Sequence, residues 1–412
     1  MTEPAPIPFH RPAIGDDEIR AVTEVLRSGW LTTGPRVRDF EEGFASYVHA
    51  RHAVAVSSGT AALHLALIAA GVGPGDAILT SPMTFPATTE VAIYCGATPL
   101  FADVDPVTLN LDPGRVEEVL ERDAVRRRIR VLLPVHYAGQ PCEMEALLPI
   151  ARRFGLTVIE DAAHALPAWR QMPGERPALP TPRYLDAPAP RRQWQMIGSI
   201  GDFTAFSFYA TKPLTTGEGG MITCESDEAA DLLKSLRLHG LSGDAWKRYT
   251  ASGSWRYDVA RTGYKYNLPD ILAAIGLEQL RRSESLATER RRLAAMYLEV
   301  LKPLAGEHVD LPVVEPFASH AWHLFPIRVR DSAKRDGLIE HLRGRGIGTS
   351  VHFLPVHLHS FYASTYGHRR GDFPEAERAG DSLLSLPLYP GLSESDVSRV
   401  VEALATGVHE GR

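Results

Sequence analysis

The strongest constraint on this chain is a regular alternation between short apolar runs and segments with helical spacing. Five runs are predicted to be strands: residues 53–56, 77–81, 99–104, 131–135 and 156–160. Predicted helices follow the first four, opening near residues 63, 83, 113 and 144. Strands separated by helices in this way predict an α/β fold with a mainly parallel sheet and helices on both of its faces.

Residues with useful chemistry lie just after several of these strands. Ser58 follows the first strand, Phe85 the second and Asp161 the fifth, and Lys212 follows a later apolar run at residues 203–208. Ligands of such sheets bind at the carboxyl ends of the strands. We therefore expect one site to collect these four side chains.

Lys212 stands at the end of a segment that reads FTAFSFYATKPLTTGEGGM, residues 203–221. The first half is apolar on both alternating sides, which is typical of a buried strand. Pro213 keeps the preceding residue extended. A lysine whose ammonium is poorly solvated has a depressed pKa and can act as an amine nucleophile. The alternative is a surface lysine whose ammonium extends into water.

The sequence SSGTAA, residues 57–62, joins the first strand to its helix. Serine is a good helix N-cap, and small residues with free amides at a helix start also form an anion site. Capping alone is the alternative. Taken singly, Asp161 is equally compatible with a helix cap and Phe85 with a core position.

Composition and motif spacing exclude several classes of protein. A net charge of −6 argues against a nucleic-acid surface. The longest apolar stretch, near residues 61–72, is too short to span a membrane. The three cysteines, Cys95, Cys142 and Cys224, do not have the spacing of a disulfide framework or a zinc site. The spacing of His352, His357 and His359 matches no pattern of zinc ligands. With an N-terminus unlike a signal peptide, these features predict a cytoplasmic protein without a metal.

The length predicts more than one domain. We expect an N-terminal arm and helix over residues 1–30, a large cofactor domain over 31–283 and a smaller α/β domain over 284–412. Residues 166–196 are rich in proline and poor in aliphatic residues, which predicts a long inserted loop. Other predicted elements are a helix over 267–280 and a strand–helix–strand unit over 322–329, 333–345 and 347–353.

A lysine, a strand-end aspartate, an anion site at a helix start and an aromatic ring together suit pyridoxal 5′-phosphate (PLP). The lysine bonds to the cofactor, and the carboxylate keeps the pyridine nitrogen protonated. The helix amides accept the phosphate, and the aromatic supports the ring face.

Several independent motifs make the sequence similar to the sugar-nucleotide aminotransferases of the DegT/StrS group, which have the aspartate aminotransferase (type I) fold. These motifs are SGWLTTGP (28–35), AVSSGTAALHLAL (55–67), PVHYAG (134–139), VIEDAAHA (158–165), SFYATKPLTTGEGGM (207–221), GYKYNLPDILAAIGLEQL (263–280) and AWHLFPIRV (321–329). With GIGTSVHF (346–353) and SLPLYP (385–390), the sequence most resembles the branch that aminates a UDP-linked 4-keto pentose.

The resemblance implies a role for each matching residue. Lys212 matches the Schiff-base lysine, Asp161 the aspartate at the pyridine nitrogen and His164 the position beside the 3-oxygen. Phe85 matches the ring-stacking aromatic. The remaining matches are Gly59 and Thr60 in the phosphate loop, Ser207 at the same phosphate, Asn267 (less well Lys265) at the phosphate in the neighbouring subunit, and Thr32, Thr33 and His352 in segments that line the sugar pocket.

The function that the resemblance implies is transamination, with PLP passing through its pyridoxamine form. L-glutamate gives its amino group, becomes 2-oxoglutarate, and a keto group of a nucleotide-linked sugar is aminated. A homodimer with shared sites is implied as well. Two alternatives stay open: a sugar dehydratase of the same fold, whose members carry histidine where Lys212 stands, and a non-catalytic regulator that binds the cofactor.

Two departures from the family pattern bear on the substrate. Relatives have a shorter connection where residues 166–196 lie, so this insertion is expected to cover the site or to alter nucleotide preference. Phe85 stands where the branch that the sequence most resembles carries tryptophan.

Overall fold

The computed structural model describes residues 5–173, 193–241 and 258–410. Its helices are α1 Asp16–Ser28, α2 Pro35–Val48, α3 Gly59–Ala69, α4 Ala87–Tyr94, α5 Pro113–Arg127, α6 Met144–Phe154, α7 Asp227–Leu236, α8 Asp270–Arg281, α9 Ser283–Val300, α10 Arg335–Gly344, α11 Ser360–Tyr366, α12 Pro374–Ser382 and α13 Glu394–Glu410. Its strands are β1 His52–Val56, β2 Ala77–Thr80, β3 Thr98–Phe101, β4 Ile129–Leu133, β5 Thr157–Asp161, β6 Trp169–Gln171, β7 Trp194–Met196, β8 Phe203–Ser207, β9 Gly220–Cys224, β10 Val309–Asp310, β11 Ala318–Ser319, β12 Phe325–Val329 and β13 Leu383–Leu386.

A seven-stranded sheet forms the centre of the molecule, in the order β1-β9-β8-β5-β4-β2-β3. Neighbouring strands from β8 through β3 pair in parallel, and β9 runs antiparallel to both β8 and β1. The predicted α/β fold with a mainly parallel sheet is therefore confirmed. Because parallel strands share a direction, their carboxyl ends lie along one edge of the sheet.

Each central strand is apolar on both sides because two apolar layers cover the sheet. In β1, Ala55 enters a layer with Phe44 of α2, whereas Val54 and Val56 enter the opposite layer with Leu65 of α3. The alternation predicted for residues 203–207 is found in β8, which is buried at its first four positions. Burial on both faces explains why these strands are short continuous apolar runs.

A second sheet, in the order β10-β12-β13, is antiparallel and packs with α9, α10 and α13. The strand predicted at residues 347–353 is wrong. Ile347 makes an isolated bridge to Ile7 of the N-terminal arm, and Ser350 makes one to Ser385. The place beside β12 belongs instead to β13, whose four residues are all buried. The division of the chain at residues 30 and 283 stays a prediction.

A third, small sheet pairs β6 with both β7 and β11. The loop predicted over residues 166–196 is therefore wrong at both ends, and residues 174–192 lie outside the described part. Arg170 of β6 is buried and forms ion pairs with Glu145 and Glu315, at 2.5 Å from a Glu145 oxygen. This distant pairing of β6 with β11 cannot be read from local composition.

Helix α8 begins at Asp270, three residues later than predicted. Pro269 disfavours helical backbone at the preceding residue, Leu268. Asn267 forms an isolated antiparallel β-bridge with Val56 at the end of β1. The segment before α8 thus lies beside the main sheet.

Two further properties concern the cysteines and the length of the helices. Cys95, Cys142 and Cys224 are free thiols. In the described ranges, no helix has the combination of length and apolar composition that crossing a membrane requires.

Candidate active site

A cavity of about 640 Å³ opens where β1, β5 and β8 end. Nine of the residues singled out from the sequence line it: Ser58, Gly59, Thr60, Phe85, Asp161, His164, Ser207, Lys212 and His352. The expectation that strand-end residues share one site is met, and residues from distant parts of the chain complete the wall.

Lys212 lies on the cavity wall. Its side chain is partly buried, and this burial lowers the pKa of Lys212 to about 8. The nearby Asp161 carboxylate opposes the shift without cancelling it. The predicted depression of the pKa is confirmed, so Lys212 is a better amine nucleophile than an ordinary lysine.

Asp161 is the last residue of β5 and is buried. Its carboxylate accepts a hydrogen bond from the Thr88 hydroxyl at 2.8 Å and another from the Ala163 amide at 3.1 Å. Burial raises the pKa of Asp161, while these donors and the Lys212 charge oppose the rise. These two hydrogen bonds hold the carboxylate in place. Since Asp161 also lines the cavity, its carboxylate can accept from a cationic N–H donor there.

The start of α3 forms a cradle beside β8. The Ser58 hydroxyl caps the helix by accepting from the Ala61 amide at 3.0 Å. Gly59 lies so close to β8 that a Cβ on it would be 2.8 Å from the Ser207 Cβ. Only glycine permits this approach. The first helical amides lack intrahelical acceptors, so they and Ser207 can receive an anion.

Three histidines and a phenylalanine form the wall opposite the sheet. The rings of His164 and His323 lie 4.4 Å apart, and His164 stacks on Phe353 at 5.8 Å. Burial and the Lys212 charge together lower the pKa values of His164 and His323 well below the usual range, and that of His352 to about 4. These imidazoles are therefore neutral at physiological pH.

Sequence reasoning did not single out several residues of the wall. His323 Nε2 lies 3.5 Å from Lys212 Nζ. Phe9 stacks on His352 at 5.4 Å, and His10 bonds the Ala210 carbonyl at 3.0 Å. His323 lies within the motif AWHLFPIRV, and the two arm residues lie in PFHRP. Both patterns were visible, but nothing local connected them with Lys212.

Thr32, Thr33 and Asn267 do not line this cavity. The Asn267 amide donates to the Thr33 hydroxyl at 2.7 Å, and that hydroxyl donates to the Leu268 carbonyl. Lys265 Nζ donates to Asn267 Oδ1 at 2.5 Å. These residues form a separate polar cluster beside the end of β1. Of the residues expected in segments that line the sugar pocket, the chain's own cavity therefore receives His352 but not Thr32 or Thr33.

The cavity fits PLP on observations of this structure alone. The missing side chain at Gly59 lets the start of α3 lie against Ser207, which brings free helix amides and the Ser207 hydroxyl together in a way that suits a phosphate. The buried Asp161 carboxylate lacks a direct ion pair with any described residue and suits a protonated ring nitrogen. The Lys212 amine lies on the same wall, and Phe85, 61% exposed, offers an aromatic face.

Comparison with known proteins identifies the class. Spr1654 from Streptococcus pneumoniae, solved in its PLP form, superposes with a TM-score of 0.85 at 30% identity, covering 98% of this chain and 99% of that one. The sugar aminotransferase CalS13 from Micromonospora echinospora gives 0.80 at 31% identity, covering 97% and 100%. The fold is that of type I PLP-dependent transferases.

Sequence comparison gives the family. The chain belongs to the DegT/DnrJ/EryC1/StrS aminotransferase family, whose pattern matches residues 12–405. It is 46% identical over 403 residues to the spore coat polysaccharide biosynthesis protein SpsC of Bacillus subtilis, a match that covers 97% of this chain and 96% of SpsC. The resemblance found in the motifs is thereby confirmed, and PLP is the cofactor of this class.

Proposed function

We propose that this protein is a PLP-dependent aminotransferase that moves an amino group from L-glutamate to a keto group of a nucleotide-linked sugar. The observation that carries the proposal is the meeting of a buried amine, Lys212, and a buried carboxylate, Asp161, in one cavity at the strand ends of this fold. Family membership supports a sugar acceptor. The glutamate donor and the nucleotide are part of the proposal.

Lys212 carries out the proton transfers. When bound, PLP supplies an electron-accepting ring that stabilises the carbon from which a proton is removed. Lys212 Nζ holds the cofactor and, once released, takes the proton from the amino-bearing carbon of the donor. With a pKa of about 8, about a quarter of these amines are neutral at pH 7.5, against about one in a thousand for an ordinary lysine.

The other residues bind and orient the cofactor. Asp161 accepts the N–H of the protonated ring nitrogen, and Thr88 fixes the carboxylate for this task. Ser207 and the amides at Gly59 and Thr60 receive the phosphate. His164 lies on the wall next to Lys212, where it suits the 3-oxygen side of the ring.

The acceptor is proposed to enter past exposed aromatic side chains. Phe85 and Tyr209 line the cavity yet remain 61% and 47% exposed. Exposed apolar surface of this kind marks ligand or subunit contacts. The motifs at 346–353 and 385–390 make a UDP-linked 4-keto pentose the first acceptor to test.

A homodimer with shared sites accounts for the polar cluster of Lys265, Asn267 and Thr33. The cluster has hydrogen-bonding groups at an exposed edge, away from its own chain's Lys212 cavity. We propose that it reaches the phosphate in the partner's site, with Thr32 in the adjoining segment lining the partner's sugar pocket. The partially exposed Tyr264 and Tyr266 rings, stacked at 5.1 Å, provide apolar surface beside it.

A spectroscopic experiment tests the donor half of the proposal. Purified protein loaded with PLP should be yellow and should lose this absorbance when L-glutamate is added, with formation of 2-oxoglutarate. Borohydride reduction followed by peptide mapping should label Lys212. A label on another lysine would refute the assignment, and a colourless protein that ignores added PLP would favour a non-catalytic regulator.

A screen of keto-sugar nucleotides tests the acceptor half. The glutamate-treated protein should convert one of them to a product with the mass of the amino sugar, and L-glutamate should be consumed in equal amount. Loss of water from the sugar without glutamate consumption would favour the dehydratase. Amination of free keto sugars only would contradict the nucleotide-linked substrate.

A further inference from the structure

Arg290 is a buried cation that no described carboxylate neutralises. It lies in α9, is 1% exposed, and donates through Nη1 to the carbonyls of Trp322 and Leu388 at 3.2 and 3.0 Å and more weakly to that of His323. Its Nε has no hydrogen-bond partner among the described residues. Burial lowers the pKa of Arg290 to about 10, and in the described ranges no ion pair offsets this. A buried charge without a counterion is expensive unless a bound anion completes it.

His323 lies near this charge and on the cavity wall. Its Nε2 faces Lys212 Nζ at 3.5 Å, longer than an ordinary hydrogen bond. Its Nδ1 is buried without a partner in the part of the chain that the structure describes. His323 lines the cavity and Arg290 does not, and the Arg290 charge acts on the His323 imidazole. With its hydrogen on Nε2, the neutral imidazole would present an N–H donor to the cavity.

Four titratable groups face His323, and two of them are cations: Lys212, from the loop after β8, and Arg290, from α9. The other two, His164 after β5 and His352 between α10 and α11, are neutral imidazoles. The two carboxylates on the cavity lining are Asp161, occupied with Thr88 and Ala163, and Glu218, which is exposed. The wall around His323 is therefore suited to an anion.

We propose that His323, with the Arg290 charge near it, binds the carboxylate next to the reacting amino carbon of the donor. The inference rests on the proposed function. His323 Nε2 is 3.5 Å from Lys212 Nζ. Lys212 Nζ must reach the amino-bearing carbon of the donor, and the α-carboxylate is one bond from that carbon. The phosphates of a sugar nucleotide are several bonds from the keto carbon and do not fit this position. His323 donates the hydrogen bond, and Arg290 is a positioning residue that supplies the charge.

Equilibrium binding of glutarate to the PLP-loaded protein tests the subsite without turnover. Titration calorimetry should show about 10- to 100-fold weaker binding in His323→Phe, because a hydrogen bond to a charged group is lost. His323→Gln, whose amide keeps an N–H donor, should recover most of the affinity. The matched control is His320→Phe: His320 is buried three residues earlier, accepts from the Trp322 amide at 2.8 Å and does not line the cavity.

The result that would overturn the proposal is equal glutarate affinity in wild type and His323→Phe, or an equal loss in His320→Phe. Retained yellow absorbance and circular dichroism establish that each variant is folded and loaded. If His323→Phe has lost its fold, the comparison of His323→Gln with His323→Leu decides in the same way.

A second measurement identifies which carboxylate is bound. 4-Aminobutyrate is L-glutamate without the α-carboxylate. His323→Phe should slow the spectral change with L-glutamate about 10-fold or more and leave that with 4-aminobutyrate within about twofold. Loss with both donors alike would refute the α-carboxylate assignment. If glutarate binds through His323 but glutamate causes no spectral change, the proposed function fails and the anion subsite stands.

Discussion

The burial of Lys212 predicts that the reactive amine destabilises the cofactor-free protein. Its pKa falls to about 8 from an ordinary value near 10.5. Every tenfold weakening of proton binding by the folded state corresponds to about 1.4 kcal/mol, so at pH 7 the protonated amine destabilises the folded state by up to about 3 kcal/mol. Replacing Lys212 with Met should remove this penalty. Because Lys212 lines an open cavity, this figure is an upper value.

The sign of the pH dependence follows from the lowered pKa of Lys212. Below pH 8 both the folded and the unfolded state hold the proton, and the full penalty applies. Between pH 8 and 10.5 the folded state releases the proton before the unfolded state does, so wild-type stability rises with pH. The advantage of Lys212→Met should therefore shrink from about 3 kcal/mol at pH 7 to about 2 kcal/mol at pH 9.

Urea unfolding of cofactor-free wild type and variant at pH 7 and pH 9 measures this difference. Lys302→Met is the control, because Lys302 is an exposed side chain that pairs with Glu299 at the surface. Such a pair contributes little, so this variant should show no comparable pH-dependent gain. An Lys212→Met advantage that is absent, or that is equal at both pH values, would refute a buried, weakly basic amine at this position.

Three further outcomes follow from the site. Asp161→Asn should keep some cofactor and lose most turnover, since an amide does not hold the ring-nitrogen proton; near wild-type kcat would show that another acid acts. Gly59→Ala places a Cβ 2.8 Å from the Ser207 Cβ and should weaken PLP retention in equilibrium dialysis; unchanged retention would show that the cradle opens without loss. Mixing inactive Lys212→Ala and Asn267→Asp chains should restore activity if sites are shared, because each heterodimer then carries one intact site; no recovery in verified heterodimers would contradict sharing.

The main sheet and its site edge were predictable because their signals are local. A run such as residues 203–207 is apolar on both sides wherever a sheet has two covered faces, and the residue that ends it must lie at the sheet edge. Asp161 and Lys212 could be placed together from this geometry alone, since β5 and β8 are parallel neighbours. The low pKa of Lys212 follows from the same placement.

The remaining parts depend on contacts between distant segments. Residues 347–353 have the composition of a strand, yet their backbone meets the arm at Ile7 and touches β13 only at Ser385, because β13 occupies the ladder position beside β12. Residues 169–171 became a strand because β11 lies beside them. His323 reaches Lys212 only through the packing of the smaller sheet against the larger one, which leaves no trace in neighbouring residues.

The N-terminal arm connects the parts that form the cavity. The Ile7 amide donates to the Gly346 carbonyl, and the Gly348 amide donates to the Ile7 carbonyl, both at 2.8 Å. Three residues on, His10 bonds the Ala210 carbonyl beside Lys212 at 3.0 Å. The arm thus fastens the segment that carries His352 to the loop that carries the reactive amine. A ligand that contacts both of these segments stabilises the arrangement in which they lie together. Because the arm already holds the segments together, less conformational freedom is lost when the ligand binds.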